Sequence, residues 1–132
     1  MPRTTETAVL RYLAALNDHD PEAATGCVTA GFVNEHTSTG GVTRVGRDVY
    51  RAALEEFFER FQQLRYEAEE IIVDGDRAAV AYRLTFTAAS GDGRRRSVAI
   101  RGMFRFRLDG ELIAHRVDYW DSADYERQIG DP

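Results

Sequence analysis

The stretch AAVAYRLTFTAASGDGRRRSVAIRGMFRFRL, Ala78 to Leu108, decides the fold. On both sides of Ser90-Gly91-Asp92-Gly93 apolar side chains recur at every second position, the period of a half-buried strand. Val80, Tyr82, Leu84 and Phe86 share one face of the first run; Ile100, Gly102, Phe104 and Phe106 share one face of the second. The Gly91-Asp92-Gly93 segment has the glycines that a tight hairpin needs at positive φ. Runs of the same period flank this pair, Tyr66 to Val73 and Leu112 to Trp120, joined through Asp74-Gly75-Asp76 and Asp109-Gly110. The second half of the chain is therefore predicted to be four consecutive antiparallel strands.

Upstream the period becomes helical. Val9, Leu10, Leu13 and Leu16, with Tyr12 beside them, predict an amphipathic helix from about Glu6 to Asn17. Asp20 as a cap, Pro21 in the first turn and Glu22 behind it predict a second short helix ending near Thr29. Phe32-Val33 reads as a strand. Gly46-Arg47-Asp48 opens a third helix through about Gln63, whose Val49, Ala53, Leu54, Phe57, Phe58 and Phe61 make a stripe wide enough to cover a sheet. A last short helix is expected after Ser122. Helices followed by a meander of long strands imply an α+β fold, one domain over residues 1–132. A curved antiparallel sheet wrapped around helices closes a cavity of the kind that takes small ligands.

The net charge of -5 argues against nucleic acid, which needs a concentrated basic surface; Arg94-Arg95-Arg96 reads as a solvated hairpin edge. The single cysteine, Cys27, excludes an intrachain disulfide and reads as a buried, inert thiol in the second helix. No apolar run reaches membrane-spanning length and the N-terminus lacks a signal-peptide core, so a cytoplasmic protein is expected. The histidines and carboxylates have no metal-ligand spacing, and neither a metal nor another cofactor is expected.

The order of elements resembles the cone-shaped fold shared by nuclear transport factor 2, ketosteroid isomerases and SnoaL-like polyketide cyclases. RYLAALNDHDPEAATGCVTAGFVNEH, Arg11 to His36, resembles the start of bacterial ketosteroid isomerases. DGELIAHRVDYWDSADYERQIG, Asp109 to Gly130, resembles both those isomerases and the SnoaL-like group. The isomerase resemblance puts Tyr12 at the enolate-donor position, His36 where the proton-moving aspartate stands, Gly102 at the second oxyanion donor, and Trp120 at a pocket aromatic. A histidine for the base and a glycine for a donor argue against an ordinary 3-oxosteroid isomerase. Limonene-epoxide hydrolases of this fold resemble the chain at Asp118 in Asp118-Tyr119-Trp120. Their Arg-x-Asp pair is not matched, because Arg83 is followed by Leu84 and Thr85. In SnoaL-like cyclases a histidine and an aspartate often serve as acid–base groups, and Asp121 aligns with their closing aspartate when Gln128-Ile129-Gly130 is the anchor.

Strand alternation weighs these candidates. Arg116, Asp118 and Trp120 share a face, so a cavity lined by Trp120 receives Asp118 and Arg116, while Asp121 faces away or caps the last helix. The expected site has His36 as base, with Tyr12 or Asp118 as donor. Its pocket is formed by Trp120, Arg116, Tyr82, Leu84, Phe86, Gly102, Phe104 and Phe57. Plainer readings stand beside these: His36 closing a loop, Tyr12 in the core, Asp118 paired with Arg116 or Arg101. His19 is expected exposed, and His115 and Glu35 are expected on the side away from the cavity. Thr37 to Gly41 is a candidate lid or rim. The set suits cofactor-free isomerisation, cyclisation or dehydration of a small apolar oxygenated ligand, such as a polyketide, terpenoid or steroid. Epoxide opening by Asp118 and His36, and ligand binding without catalysis, are the other classes. Met103, Val117 and Tyr119 point outward and suit a homodimer through the outer sheet face.

Overall fold

The computed structural model describes residues 4–130. Helix α1 spans Thr4–Asn17 and α2 spans Pro21–Thr25; strands β1 and β2 span Val28–His36 and Arg44–Val45; α3 spans Arg47–Arg60. Strands β3, β4, β5 and β6 follow over Gln62–Asp74, Arg77–Ala89, Arg95–Asp109 and Leu112–Trp120, and α4 spans Ser122–Gln128. They build a curved six-stranded sheet in the order β2-β1-β6-β5-β4-β3. The meander from β3 to β6 is antiparallel, as its turns require. The expected Phe32-Val33 strand is part of the longer β1, which runs parallel to β6; with the additional short strand β2 it leaves a mixed, open sheet with β2 and β3 at its edges.

Strand β4 follows the period-two pattern throughout: Ala78, Val80, Tyr82, Leu84, Phe86 and Ala88 are buried, and their neighbours are not. Its partner β5 buries Val98, Ile100, Phe104, Phe106 and Leu108. A register shift between Arg107 and Leu108 resets the alternation on β6, so Ile113 and then Arg116 and Asp118 all turn inward. Helix α1 packs its Val9, Tyr12, Leu13 and Leu16 face on the sheet against β3, β4 and β6. Asn17 fastens its end to β3, accepting from Tyr66 N–H at 2.7 Å and donating to the Tyr66 carbonyl at 3.0 Å. Helix α3 closes the other side against β1, β2 and β3.

The second helix stops at Thr25 rather than near Thr29. The β-branched Val28-Thr29 pair enters β1, and the Cys27 carbonyl accepts from Ile113 N–H at 2.9 Å. Cys27 is buried as expected but follows the helix instead of lying in it. The third helix ends at Arg60, short of Gln63, because Phe61 is already extended at φ -114 and ψ 98 and leads directly into β3. Of the outward residues, Met103 and Tyr119 are 42% and 40% exposed, whereas Val117 is buried.

Candidate active site

Register explains how distant segments meet. The parallel β1–β6 pairing sets Asn34 beside Arg116 and His36 beside Asp118. Alternation then turns both pairs to the inner face, while Glu35 turns to the other and bonds His115 at 3.0 Å. On the far side of β6, Gly102 lies opposite both Trp120 and Tyr82. A Cβ on Gly102 would lie 2.6 Å from Tyr82 Cζ. The bare glycine therefore lets the Tyr82 phenol lie across β5 and donate to Asp118 Oδ1 at 2.7 Å.

These side chains line a cavity of about 290 Å³ between the sheet and α3. Its polar groups are Asn34, His36, Tyr50, Tyr66, Tyr82, Arg116 and Asp118, with Arg44, Glu56 and Arg60 contributing charge. Among the expected pocket residues, Trp120, Arg116, Tyr82, Leu84, Phe86 and Phe57 line it together with His36 and Asp118. Tyr12, Gly102 and Phe104 do not. Tyr12 is fully buried behind the wall, hydrogen-bonded to Tyr50 and accepting from Arg116 Nη1 at 3.0 Å. Phe104 is sealed beneath Arg116, and the Tyr82 ring covers Gly102. The resemblance located Tyr12 on the correct helix face, but Arg116 and Tyr50 stand between it and the cavity. Tyr66 and Tyr125 line the cavity beyond the expected set, and so does Tyr50 on α3. Its signal was the spacing Tyr50, Leu54, Phe57, Phe61 along α3, one helical stripe.

A hydrogen-bond chain fixes the histidine. Arg116 has only donors, and its Nε–H donates to Asn34 Oδ1 at 2.9 Å. The Asn34 amide NH₂ is thereby directed toward His36 Nε2, 3.4 Å away, which must then present its lone pair. The imidazole proton sits on Nδ1, facing Asp118 Oδ2 across 3.6 Å. Burial, reinforced by the Arg116 and Arg44 charges, pushes His36 down to about 4. Burial pushes Asp118 above its ordinary value, against the opposing pull of Arg116 and of the Tyr82 hydrogen bond. Near neutral pH the site thus holds a neutral imidazole whose unprotonated Nε2 faces the Asn34 amide.

The competing placements resolve by position. Asp121 is exposed and caps α4, its Oδ1 accepting from Ala123 N–H at 3.0 Å. Arg83 is exposed on the other face of β4 from Tyr82. Arg101 pairs with Glu69 on the surface rather than with Asp118. His19 is exposed, with Nε2 2.7 Å from the Leu64 carbonyl oxygen. Thr37 N–H bonds the Asp118 carbonyl at 3.1 Å, so the Thr37–Gly41 segment is tied to the end of β6, and none of its residues lines the cavity. Among the described residues no helix is long and apolar enough to cross a membrane.

Solved structures of other proteins share this architecture. A protein of Shewanella denitrificans OS-217 assigned to the SnoaL-like polyketide cyclases superposes with a TM-score of 0.85 at 18% identity, over 95% of this chain and 96% of that one. A Catenulispora acidiphila DSM 44928 protein with a ketosteroid isomerase-like fold, crystallised with trimethylamine, gives 0.84 at 18% identity over 95% and 93%. TerC, co-crystallised with polyporic acid, gives 0.79 at 18% identity over 96% and 98%. At these identities the likeness concerns the fold. No curated protein sequence is similar enough to count as a match. The sequence model of the SnoaL-like domain matches residues 9–116, and on that match the chain belongs to the SnoaL-like domain family.

Proposed function

We propose that the protein is a cofactor-independent enzyme moving a proton on a small, mostly apolar carbonyl compound, in the isomerase, cyclase or dehydratase class. The observation that carries this reading is the His36–Asp118 pair, with Nδ1 3.6 Å from Oδ2, inside an apolar and aromatic cavity. His36 Nε2 exchanges its long contact with the Asn34 amide, 3.4 Å, for the substrate and accepts a proton from the carbon next to the carbonyl, leaving an enolate. Asp118 orients the Nδ1–H and balances the imidazolium while it exists. The proton then returns to a different carbon in an isomerisation, or to oxygen once the enolate carbon has formed a new bond in a cyclisation. Tyr82 holds Asp118 in place, and Tyr12 acts through Tyr50 and Arg116 rather than on the ligand. That SnoaL-like cyclases and TerC share the fold supports a small organic ligand of polyketide or similar type.

Wild type and His36→Ala would be compared on a panel of enones, 1,3-diones and epoxides. The expected result is a ~10²–10⁴-fold fall in turnover of the carbonyl compounds. Equal turnover in the two proteins removes His36 from the mechanism. Turnover of epoxides alone moves Asp118 and His36 to hydrolytic chemistry, and ligand binding without turnover makes the domain a binding module. The same reading has two chains pairing through the outer sheet face, around Met103 and Tyr119, in the cytoplasm.

A further inference from the structure

Arg116 is buried at 5% exposure and its hydrogen bonds go to neutral groups, Asn34 Oδ1 at 2.9 Å and Tyr12 Oη at 3.0 Å, with the Tyr66 phenol as a further neutral neighbour. Aromatic faces surround the rest, with the guanidinium carbon 4.7 Å from the Phe104 centroid and 6.0 Å from those of Tyr12 and Tyr50. Among the described residues no carboxylate lies within 4.0 Å of it; Asp118, two residues along the same strand, is turned to Tyr82 and His36 instead. Asp118 acts on Arg116 only across a longer distance, a guanidinium does not shed its charge when buried, and a buried charge without a directly contacting counter-ion is costly. The side chain nevertheless lines the cavity, and Arg44 and Arg60, neither of them in an ion pair with a described carboxylate, line it too.

We infer that Arg116 is a ligand-binding residue whose direct ion-pair partner is an anionic oxygen of the ligand. The substrates are therefore apolar ring compounds carrying an acidic oxygen (a carboxylate, an ionised enol or a phenolate), and neutral analogues of the same shape bind less well. This rests on the acid–base reading and deepens it. Where the anionic oxygen is the enolate itself, the Arg116 charge stabilises the product of proton removal by His36, as so weak a base requires.

The test is binding, measured by calorimetry at pH 7 with 2-naphthoate and its neutral counterpart 2-naphthamide. Wild type is expected to hold naphthoate at least about tenfold more tightly, the value of a hydrogen bond to a charged partner. In Asn34→Asp a carboxylate is placed on Arg116 Nε, and the preference disappears; in Arg116→Met it also disappears, and thermal melts report whether that variant is folded. Arg116→Lys retains the charge and part of the preference. Equal affinities in wild type, no measurable naphthoate binding, or a preference that survives in Asn34→Asp each overturn the inference. The acid–base reading fails separately, if turnover survives in His36→Ala whatever the naphthoate preference.

Discussion

His36 bears on both activity and stability through one property, the low basicity of its buried ring. In the unfolded chain a histidine titrates near ~6.5, whereas in the folded protein His36 is pushed down to about 4. The folded value is the lower one, so its stabilising effect is fully present above ~6.5 and is lost as pH falls toward about 4. The whole loss is on the order of 3 kcal/mol. Asp118 acts in the opposite sense, since its folded value is raised and protonation favours the folded chain. The comparison with His36→Gln isolates the histidine: urea midpoints of wild type should fall more steeply between pH 6.5 and 4 than those of the variant. Parallel slopes would show that the imidazole is not held neutral by its surroundings. The same property puts the acid limb of kcat/KM near pH 4, where Nε2 gains its proton.

At the scale of elements, the site depends on how β5 and β6 are dressed. In Gly102→Ala the new Cβ meets Tyr82 Cζ at 2.6 Å and the Tyr119 carbonyl oxygen at 2.8 Å, and the latter is backbone that cannot swing away. A stability loss of about 1–3 kcal/mol is expected from overpacking, together with displacement of the Tyr82 hydroxyl from Asp118. Denaturant titration measures the first; a crystal structure of the variant shows the second. Unchanged stability would mean the strands spread freely at that point. Asp121→Ala is the contrasting case. It removes the α4 cap and should cost about 0.5–2 kcal/mol while leaving turnover at the wild-type level, because Asp121 faces solvent. A loss of turnover without a loss of stability would transfer the closing-strand role from Asp118 to Asp121. Why the strand residues were legible is plain: period-two alternation along β6 puts Arg116, Asp118 and Trp120 on one face whatever the neighbours do. The arrival of His36 beside Asp118 was less so. It depends on a parallel β1–β6 pairing between segments about eighty residues apart, a long-range choice for which strand periodicity carries no signal.

At the scale of the whole molecule, helix faces could be read but not depth. Tyr12 and Tyr50 both lie on inward stripes, and only packing decides that Tyr50 meets the cavity while Tyr12 sits behind it. The family resemblance reached the fold correctly and misplaced that donor for the same reason. The outer sheet face carries Met103 and Tyr119 half-exposed, with Arg105 donating to Tyr119 Oη at 3.0 Å. Sedimentation is expected to report a dimer, and Met103→Glu with Tyr119→Glu to shift it toward monomer. A wild-type monomer at micromolar concentration would leave that face without a partner copy.

A neutral imidazole stands ready as a base inside the cavity, its tautomer set by Asn34 and Arg116. Nitrogen-15 NMR of the histidine side chains through a pH titration tests it most directly. The His36 resonances are expected to show Nδ1 protonated and Nε2 bare at neutral pH, with a midpoint of about 4. A midpoint near ~6.5, the value of a solvated histidine, or the opposite tautomer, would contradict it.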